Sequence, residues 1–345
     1  MKRTLIALGV AATVALPVSA QAAFKVYGKL YVAVEKYETE AAGVETADQF
    51  RMQSYNSRFG IKGEDELTAN LSAVYGIEWE VSADGNSGTD MAQRNRFVGI
   101  KHVDFGTLKL GKLDTNLKNA QGKIDLYNDT TMDMGYVIAG ETRPNNVIAY
   151  ESPKIADAVS VNLQFIPGEA SGVGAAPANQ YNGIADGISA SVVYDNSDLG
   201  LYVALARDQE VAGNTIMAGS NVGRRDTTRL VGAYKIADLS LGALYQISES
   251  VNDPAVAAGV AEEETSWLLS AAYKIEAVTL KAQYIVGEND ATTAEERTQW
   301  TLGADYGFTS KTKAYAYFGA NERDTGGAVL AAESSVLAIG LEHNF

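Results

Sequence analysis

Few side chains in this sequence are equipped for covalent or metal chemistry. There is no cysteine, and the histidines are His102 and His343 alone. Thiolate nucleophiles and thiolate-metal sites are therefore excluded, and an imidazole-based metal site or triad lacks ligands. A nucleophilic serine needs a base within hydrogen-bond reach. His102 falls at a predicted turn and His343 on the apolar side of the last strand, so neither is placed to activate one. Charge is what remains in quantity, with 43 acidic against 28 basic residues and a formal net charge of −15. An acidic balance argues against nucleic acid as a partner. The expectation is a protein with no cofactor, no metal centre and no catalysis.

The elements that position these charges show a period of two. In TANLSAVYGIEWEVSA, Leu71, Ala73, Tyr75, Ile77, Trp79 and Val81 alternate with Asn70, Ser72, Gly76, Glu78 and Glu80, Val74 being the apolar exception on that side. The same comb recurs in LSLGALYQIS, TSWLLSAAYKI, VTLKAQYIV and TQWTLGADYGF. Strict alternation over about ten residues predicts strands, each long enough to cross a bilayer obliquely. Their apolar sides are rich in Ala and Gly with aromatics at the ends, while the opposite sides carry Glu78, Glu80, Lys274, Lys281, Gln283 and Asp305. A soluble sandwich would have to bury such charges in a core, at several kcal/mol for each unpaired one. Lipid outside and water inside leaves them solvated. A transmembrane barrel is expected, and a soluble sandwich or propeller is the competing reading.

The ends of the chain fit that plan. Residues 1–22 have a basic start (Lys2, Arg3), an apolar run and a small-x-small close at Ala20-Gln21-Ala22, the pattern of a removed signal peptide. The run is shorter than the roughly 20 residues a membrane helix needs. One barrel domain is expected over 23–345. The chain stops on Phe345 inside an apolar-polar comb, with no polar tail. Short turns (EDEL, VDFGT, KIADA, NSDL, IADL, IEAV, FTSK) alternate with longer polar segments near 39–49, 84–93, 114–141, 168–186, 208–226, 249–264, 287–297 and 321–334. Seven turns and eight loops make fifteen connections and so predict sixteen antiparallel strands. A barrel of that size leaves an aqueous channel.

Several stretches carry a family likeness. AFKVYGKLYVAVEKYE, SRFGIKGEDEL, FVGIKHVDFGTLKLGKLDT and the closing GLEHNF resemble the first, second, fourth-to-fifth and terminal strands of the trimeric, sixteen-stranded general porins of Gram-negative bacteria. The likeness runs from Ala23 to Phe345. It implies an outer-membrane homotrimer with passive diffusion of small polar solutes and ions. It also implies contact with outer-membrane lipid and lipopolysaccharide, and a C-terminal Phe345 presented to the assembly machinery. A channel of the same build specific for one substrate is the alternative.

The resemblance also implies a constriction. In the family the third loop folds into the barrel and sets carboxylates opposite a basic wall. Residues 114–141 occupy that place. Arg58, Lys112 and Arg143 match the basic-wall positions, and Asp125, Asp129 and Asp133 are the loop acids expected to face them. Opposed charges across a narrow throat set ion preference. The loop lacks the Pro-Glu-Phe-Gly-Gly turn of many members, and Lys112 puts a point charge where a planar fork is usual. Further acids (Glu262, Glu263, Glu264, Glu288, Asp290, Glu295, Glu296) are assigned to outer loops. There they could gather cations at the mouth, bridge divalent ions, or simply be solvated.

Overall fold

The computed structural model describes residues 24–86, 91–169, 181–214, 221–251, 263–290, 294–325 and 332–345. The expected signal peptide and Glu262 lie outside them. The strand segments are β1 (Lys25–Ala41), β2 (Val44–Ser54), β3 (Arg58–Thr68), β4 (Leu71–Glu80), β5 (Ala92–His102), β6 (Gly106–Lys112), β7 (Val147–Glu151), β8 (Val159–Ile166) and β9 (Gly187–Asn196). They continue with β10 (Leu201–Asn214), β11 (Asn221–Ile236), β12 (Leu239–Ser250), β13 (Glu263–Ile275), β14 (Val278–Asn289), β15 (Glu295–Gly307), β16 (Thr312–Thr325) and β17 (Ala332–Asn344). β1 pairs with β2 from Val32↔Ser54 outward and with β3 from Lys29↔Arg58. β2 and β3 are thus two halves of one barrel strand, broken at 55–57 where Asn56 takes a positive φ of 47°. Counted that way, the barrel has the sixteen antiparallel strands expected.

The ring closes where β1 meets β17, from Lys29↔Asn344 to Ala41↔Ala332. The period-two pattern then sorts side chains to the two faces. On β17, Val336 and Ala338 are fully buried whereas Leu337 and Ile339 are 49% and 64% exposed. Leu241, Leu269, Leu280 and Leu302, on the apolar sides of their combs, are likewise exposed on the outer face. No helix among the described residues is long and apolar enough to cross a membrane.

Strands run further than their polarity suggested. The loop expected over 39–49 is a turn at Ala42-Gly43, where φ is positive at both residues (52° and 77°) as a tight hairpin requires. Glu263, Glu264, Glu288, Glu295 and Glu296 belong to β13, β14 and β15, not to loops. Glu295 is buried between Arg297 (2.6 Å) and Arg323 (2.8 Å). Past the bilayer both faces of a strand meet water or the mouth, so alternation fades although pairing continues. EDEL likewise ends β3, and its turn follows at Ala69-Asn70.

The last residue completes the seam. Phe345 N–H donates to the Gly28 carbonyl (3.0 Å), and Gly28 N–H donates to the Phe345 carbonyl (3.2 Å). The Phe345 ring lies over Gly28, where a Cβ would fall 2.3 Å from its Cζ. Gly28→Val should displace this ring and weaken closure by about 1–3 kcal/mol. A lower midpoint for the heat-induced electrophoretic shift of the folded barrel is the expected reading, and an unchanged midpoint contradicts it.

Candidate functional site

The segment between β6 and β7 does not leave the barrel. It turns into a short helix, α1 (Asn116–Asn119), capped by the Thr115 hydroxyl, which accepts from Lys118 N–H at 3.1 Å. It ends in a 3-10 turn, Met134–Tyr136, capped by Asp133. Leu117, Ile124, Met134 and Ile138 are buried against Val231, Leu244, Leu268 and Ile285 on the inner faces of β11 to β14. Part of the lumen wall is therefore apolar, contrary to the solvated inner face expected from the combs. The loop covers it.

One buried guanidinium holds both limbs of this loop. Arg229 has no exposed surface. It donates to the Leu117 carbonyl (3.2 Å) on the inbound limb, and to the Ala139 carbonyl (3.0 Å) and Glu141 carboxylate (2.8 Å) on the outbound one. Gln283, Lys281 and Gln299 fasten the middle through Leu126 N–H (2.8 Å), Leu126 O (3.1 Å) and Met132 O (2.8 Å). At the far wall, Thr131 donates to Glu35 (2.5 Å), which Arg51 and the Tyr55 hydroxyl also reach.

Beside the loop a polar cavity of about 740 Å³ stays open, lined among others by Arg58, Arg94, Lys118, Asp129 and Arg143. The structure brings Arg58, Arg143, Asp129 and Asp133 to it. Asp129, at a strained φ of 73°, is bonded directly by Arg58 and by Lys29 (2.7 Å). Arg143 Nε lies 2.9 Å from Asp114 and donates to Asn95 Oδ1 (2.9 Å). Asp125 is behind the cavity, accepting from Tyr127 N–H (3.0 Å), Met134 N–H (3.0 Å) and Gln283 (2.9 Å). Lys112 does not line the cavity. It shares the strand face of Leu108 and Leu110, both exposed outside, and donates to the Arg143 carbonyl (3.0 Å) and Asn145 (2.9 Å).

Several lining charges were not found from sequence. Lys118 and Glu141 sit in the loop segment, where spacing says nothing about direction, 3.9 Å apart. Arg94 is hidden by a register shift: β4 pairs Ile77↔Arg96 but Trp79↔Gln93. Counting back by twos from Val98 would point Arg94 outward, yet the bulge turns it inward onto Glu78 (2.6 Å) and Glu80 (3.5 Å). No cluster of three or more metal-type side chains occurs among the described residues.

The loop acids differ in their electrostatics. Burial alone would raise Asp129, but Arg58 and Lys29 outweigh it and hold the carboxyl at about 2. Asp125 and Asp133 take backbone and Gln283 donors instead of a cation, and burial pushes both up. The charge of Asp125 pushes Asp133 further.

Comparison with known proteins agrees with this architecture. Residues 7–326 match the model of a Gram-negative porin family. The major outer membrane protein P.IB of Neisseria lactamica is 26% identical over the full length of both chains. The anion-selective porin from Comamonas acidovorans superposes with a TM-score of 0.76 at 20% identity, covering 94% of this chain and all of that one. The trimer form of OmpT from Vibrio cholerae gives 0.66 at 20% identity, covering 94% and 99%.

Two outcomes follow for the loop. Arg229→Met takes the buried donor from Glu141 and the Leu117 carbonyl and leaves the Ala139 carbonyl to Gln246 alone, a loss of about 3–5 kcal/mol; a noisier, larger single-channel current is expected, and a quiet current of unchanged size contradicts it. The raised acids bind a proton more tightly folded than unfolded, so their stabilisation is complete at low pH and is lost as pH climbs through the raised values. Asp129 runs oppositely, stabilising above the usual carboxylate range and losing that toward about 2. The unfolding midpoint should therefore fall from about pH 4 to about pH 8, the raised value of Asp133, and Asp133→Asn should flatten that fall. An equal fall in the variant removes the assignment.

Proposed function

Because this chain belongs to the Gram-negative porin family, it is an outer-membrane channel through which small hydrophilic solutes and ions diffuse passively, and we propose that its throat is the cavity between Arg58, Arg94 and Arg143 and the inward loop. The observation that carries this reading is the clamped loop. A segment tied to opposite walls by Arg229 and Glu35 narrows a lumen without closing it.

Charges around the throat nearly cancel. The cations Arg58, Arg94, Lys118 and Arg143 face Glu80, Asp114, Asp129 and Glu141, while Asp133 favours its protonated form. A balanced ring gives weak ion preference, which suits a general pore. The buried tyrosines argue against a channel built for one sugar. Tyr31, Tyr55, Tyr315 and Tyr317 take the inward side, but the loop and their own stacking leave each at most 5% exposed. Of the two tyrosines that line the cavity, Tyr55 is buried and Tyr136 is 53% exposed, and a single open ring makes no track.

In this reading the chain forms a homotrimer with one pore per subunit, embedded in lipid and lipopolysaccharide, and Phe345 serves the assembly machinery as a terminal signal. It carries out no catalysis. His102 accepts from the Asp104 N–H (3.1 Å) at a turn, and His343 meets Thr312 (2.8 Å) on the outer face, so neither reaches the throat.

The test is single-channel recording in a planar bilayer, with reversal potential under a salt gradient. Large ohmic steps in threes support the reading. One unit charge about 6 Å from the permeating ion is worth on the order of 0.7 kcal/mol in water, about threefold in local concentration. Arg58→Ala and Arg143→Ala should each shift permeability toward cations by up to that factor, and Asp114→Asn the other way. A folded barrel without conductance would end the diffusion-pore reading, and current blocked by one particular solute would favour a specific channel.

A further inference from the structure

Two breaks in the period of two fall beside the throat. Between Lys29↔Arg58 and Val32↔Ser54, β1 has Leu30 and Tyr31 where the opposite strand has Tyr55, Asn56 and Ser57. Between Ile77↔Arg96 and Trp79↔Gln93, β4 has Glu78 where β5 has Arg94 and Asn95. Each is a β-bulge of one extra residue, which reverses the facing of what lies beyond it. Arg51 faces inward onto Glu35. Counted by twos from there, Arg58 would point at lipid, as Arg94 would by the count from Val98. The extra residues turn Arg58 onto Asp129 and Arg94 onto Glu78.

The first bulge is well tied. Tyr55 N–H donates to the Tyr31 carbonyl (2.7 Å). Tyr31 N–H donates to the Ser57 hydroxyl (2.9 Å), which donates back to the Tyr31 carbonyl (3.2 Å). The Ser57 side chain thus stands in for a rung of the ladder that the extra residue removed.

What the two bulges share is an asparagine bonded to a loop carboxylate. Asn56 Nδ2 donates to Asp129 Oδ1 (2.9 Å), while Lys29 and Arg58 take Oδ2. Asn95 Nδ2 donates to Asp114 Oδ2 (2.8 Å), and its Oδ1 accepts from Asp114 N–H (3.0 Å) and from Arg143 Nε (2.9 Å). Asp114 opens the inward loop and Asp129 lies midway along it. A carboxylate gripped at both oxygens cannot rotate away from its cation, and a neutral amide provides that grip without adding charge to the passage.

We propose that Asn56 and Asn95 are the positioning residues of the throat. Each bulge turns a wall cation, Arg58 or Arg94, into the lumen, and each asparagine holds a loop carboxylate against a basic side chain, Asp129 against Arg58 and Asp114 against Arg143. Together they fix the width of the passage and its near-balance of charge. This rests on the diffusion-pore reading and names the residues that tune it.

Asn56 has a positive φ of 47°, which glycine and aspartate also accept. Asn56→Gly and Asn56→Asp therefore separate a turn former from a positioning residue. A turn former tolerates both. A positioning residue does not, because glycine frees one oxygen of Asp129 and aspartate sets an anion against it. Losing a hydrogen bond to a charged group shifts the balance between held and released loop by about tenfold or more.

The measurement is open-channel noise in single-channel recordings, with heat-modifiable mobility showing that each barrel is folded. Noise should rise from wild type to Asn56→Gly and further to Asn56→Asp, and Asn95→Asp should raise it likewise through Asp114. In an Asp129→Gly background, Asn56→Gly should add nothing, since its partner is gone. If Asn56→Asp does not fold, Asn56→Gly with and without Asp129→Gly decides alone. Wild-type noise in the folded Asn56 and Asn95 variants, or an Asn56→Gly effect undiminished without Asp129, overturns the positioning role and leaves the pore intact. A folded wild type that does not conduct overturns the pore reading itself.

Discussion

Backbone amides and carbonyls have no partner in hydrocarbon, and every other feature of this fold answers to that. Strands can satisfy each other only in a closed ring, so the first and last segments of the sequence must meet. They do so through β1 and β17, with Phe345 and Gly28 exchanging the final pair of hydrogen bonds. A long irregular segment at membrane depth then has one place to go, the lumen, where wall side chains can satisfy it. The loop after β6 goes there.

Inside, that loop behaves as a packed element. Its apolar residues meet an apolar strip of wall, and burying a side chain of that size stabilises by roughly 1.5–3 kcal/mol. Its polar backbone is met by the wall's long side chains, with Arg229 and Gln246 sharing the Ala139 carbonyl. A buried guanidinium is tolerable because carbonyls and the Glu141 carboxylate surround it. The lumen is thereby divided. One side is filled with protein, and the other is a polar passage whose charges are mostly paired across short distances.

This pairing gives the acids of the loop separate work. Asp129 joins the loop to Arg58 and Lys29 on the wall. Asp133 caps a turn, receiving Gly135 N–H (2.7 Å) and Asp129 N–H (2.6 Å), so the backbone that presents Asp129 is shaped by its neighbour. Residues of one type, spaced four apart in sequence, serve as counter-ion, turn former and buried acceptor.

The sequence by itself determined the barrel, its strand number, its lipid-facing side and the loop that turns inward by family likeness. Alternation is a local property, and a sheet with lipid on one side and water on the other imposes it at every step of each spanning strand. Of the residues the sequence singled out, Arg58 and Arg143 by family likeness and Asp129 and Asp133 as loop acids lie at the cavity. Tertiary structure decided the rest. Lys112 matched a basic-wall motif yet faces outward, because parity along β6 follows Leu108 and Leu110 and no motif reports it. Arg94 reached the lumen only because a bulge reversed its parity. Val231, Leu244, Leu268 and Ile285 are inward and apolar because a segment more than eighty residues away in sequence packs on them. Those outcomes depend on which distant surfaces meet, and contact at that range leaves no periodic trace in the chain.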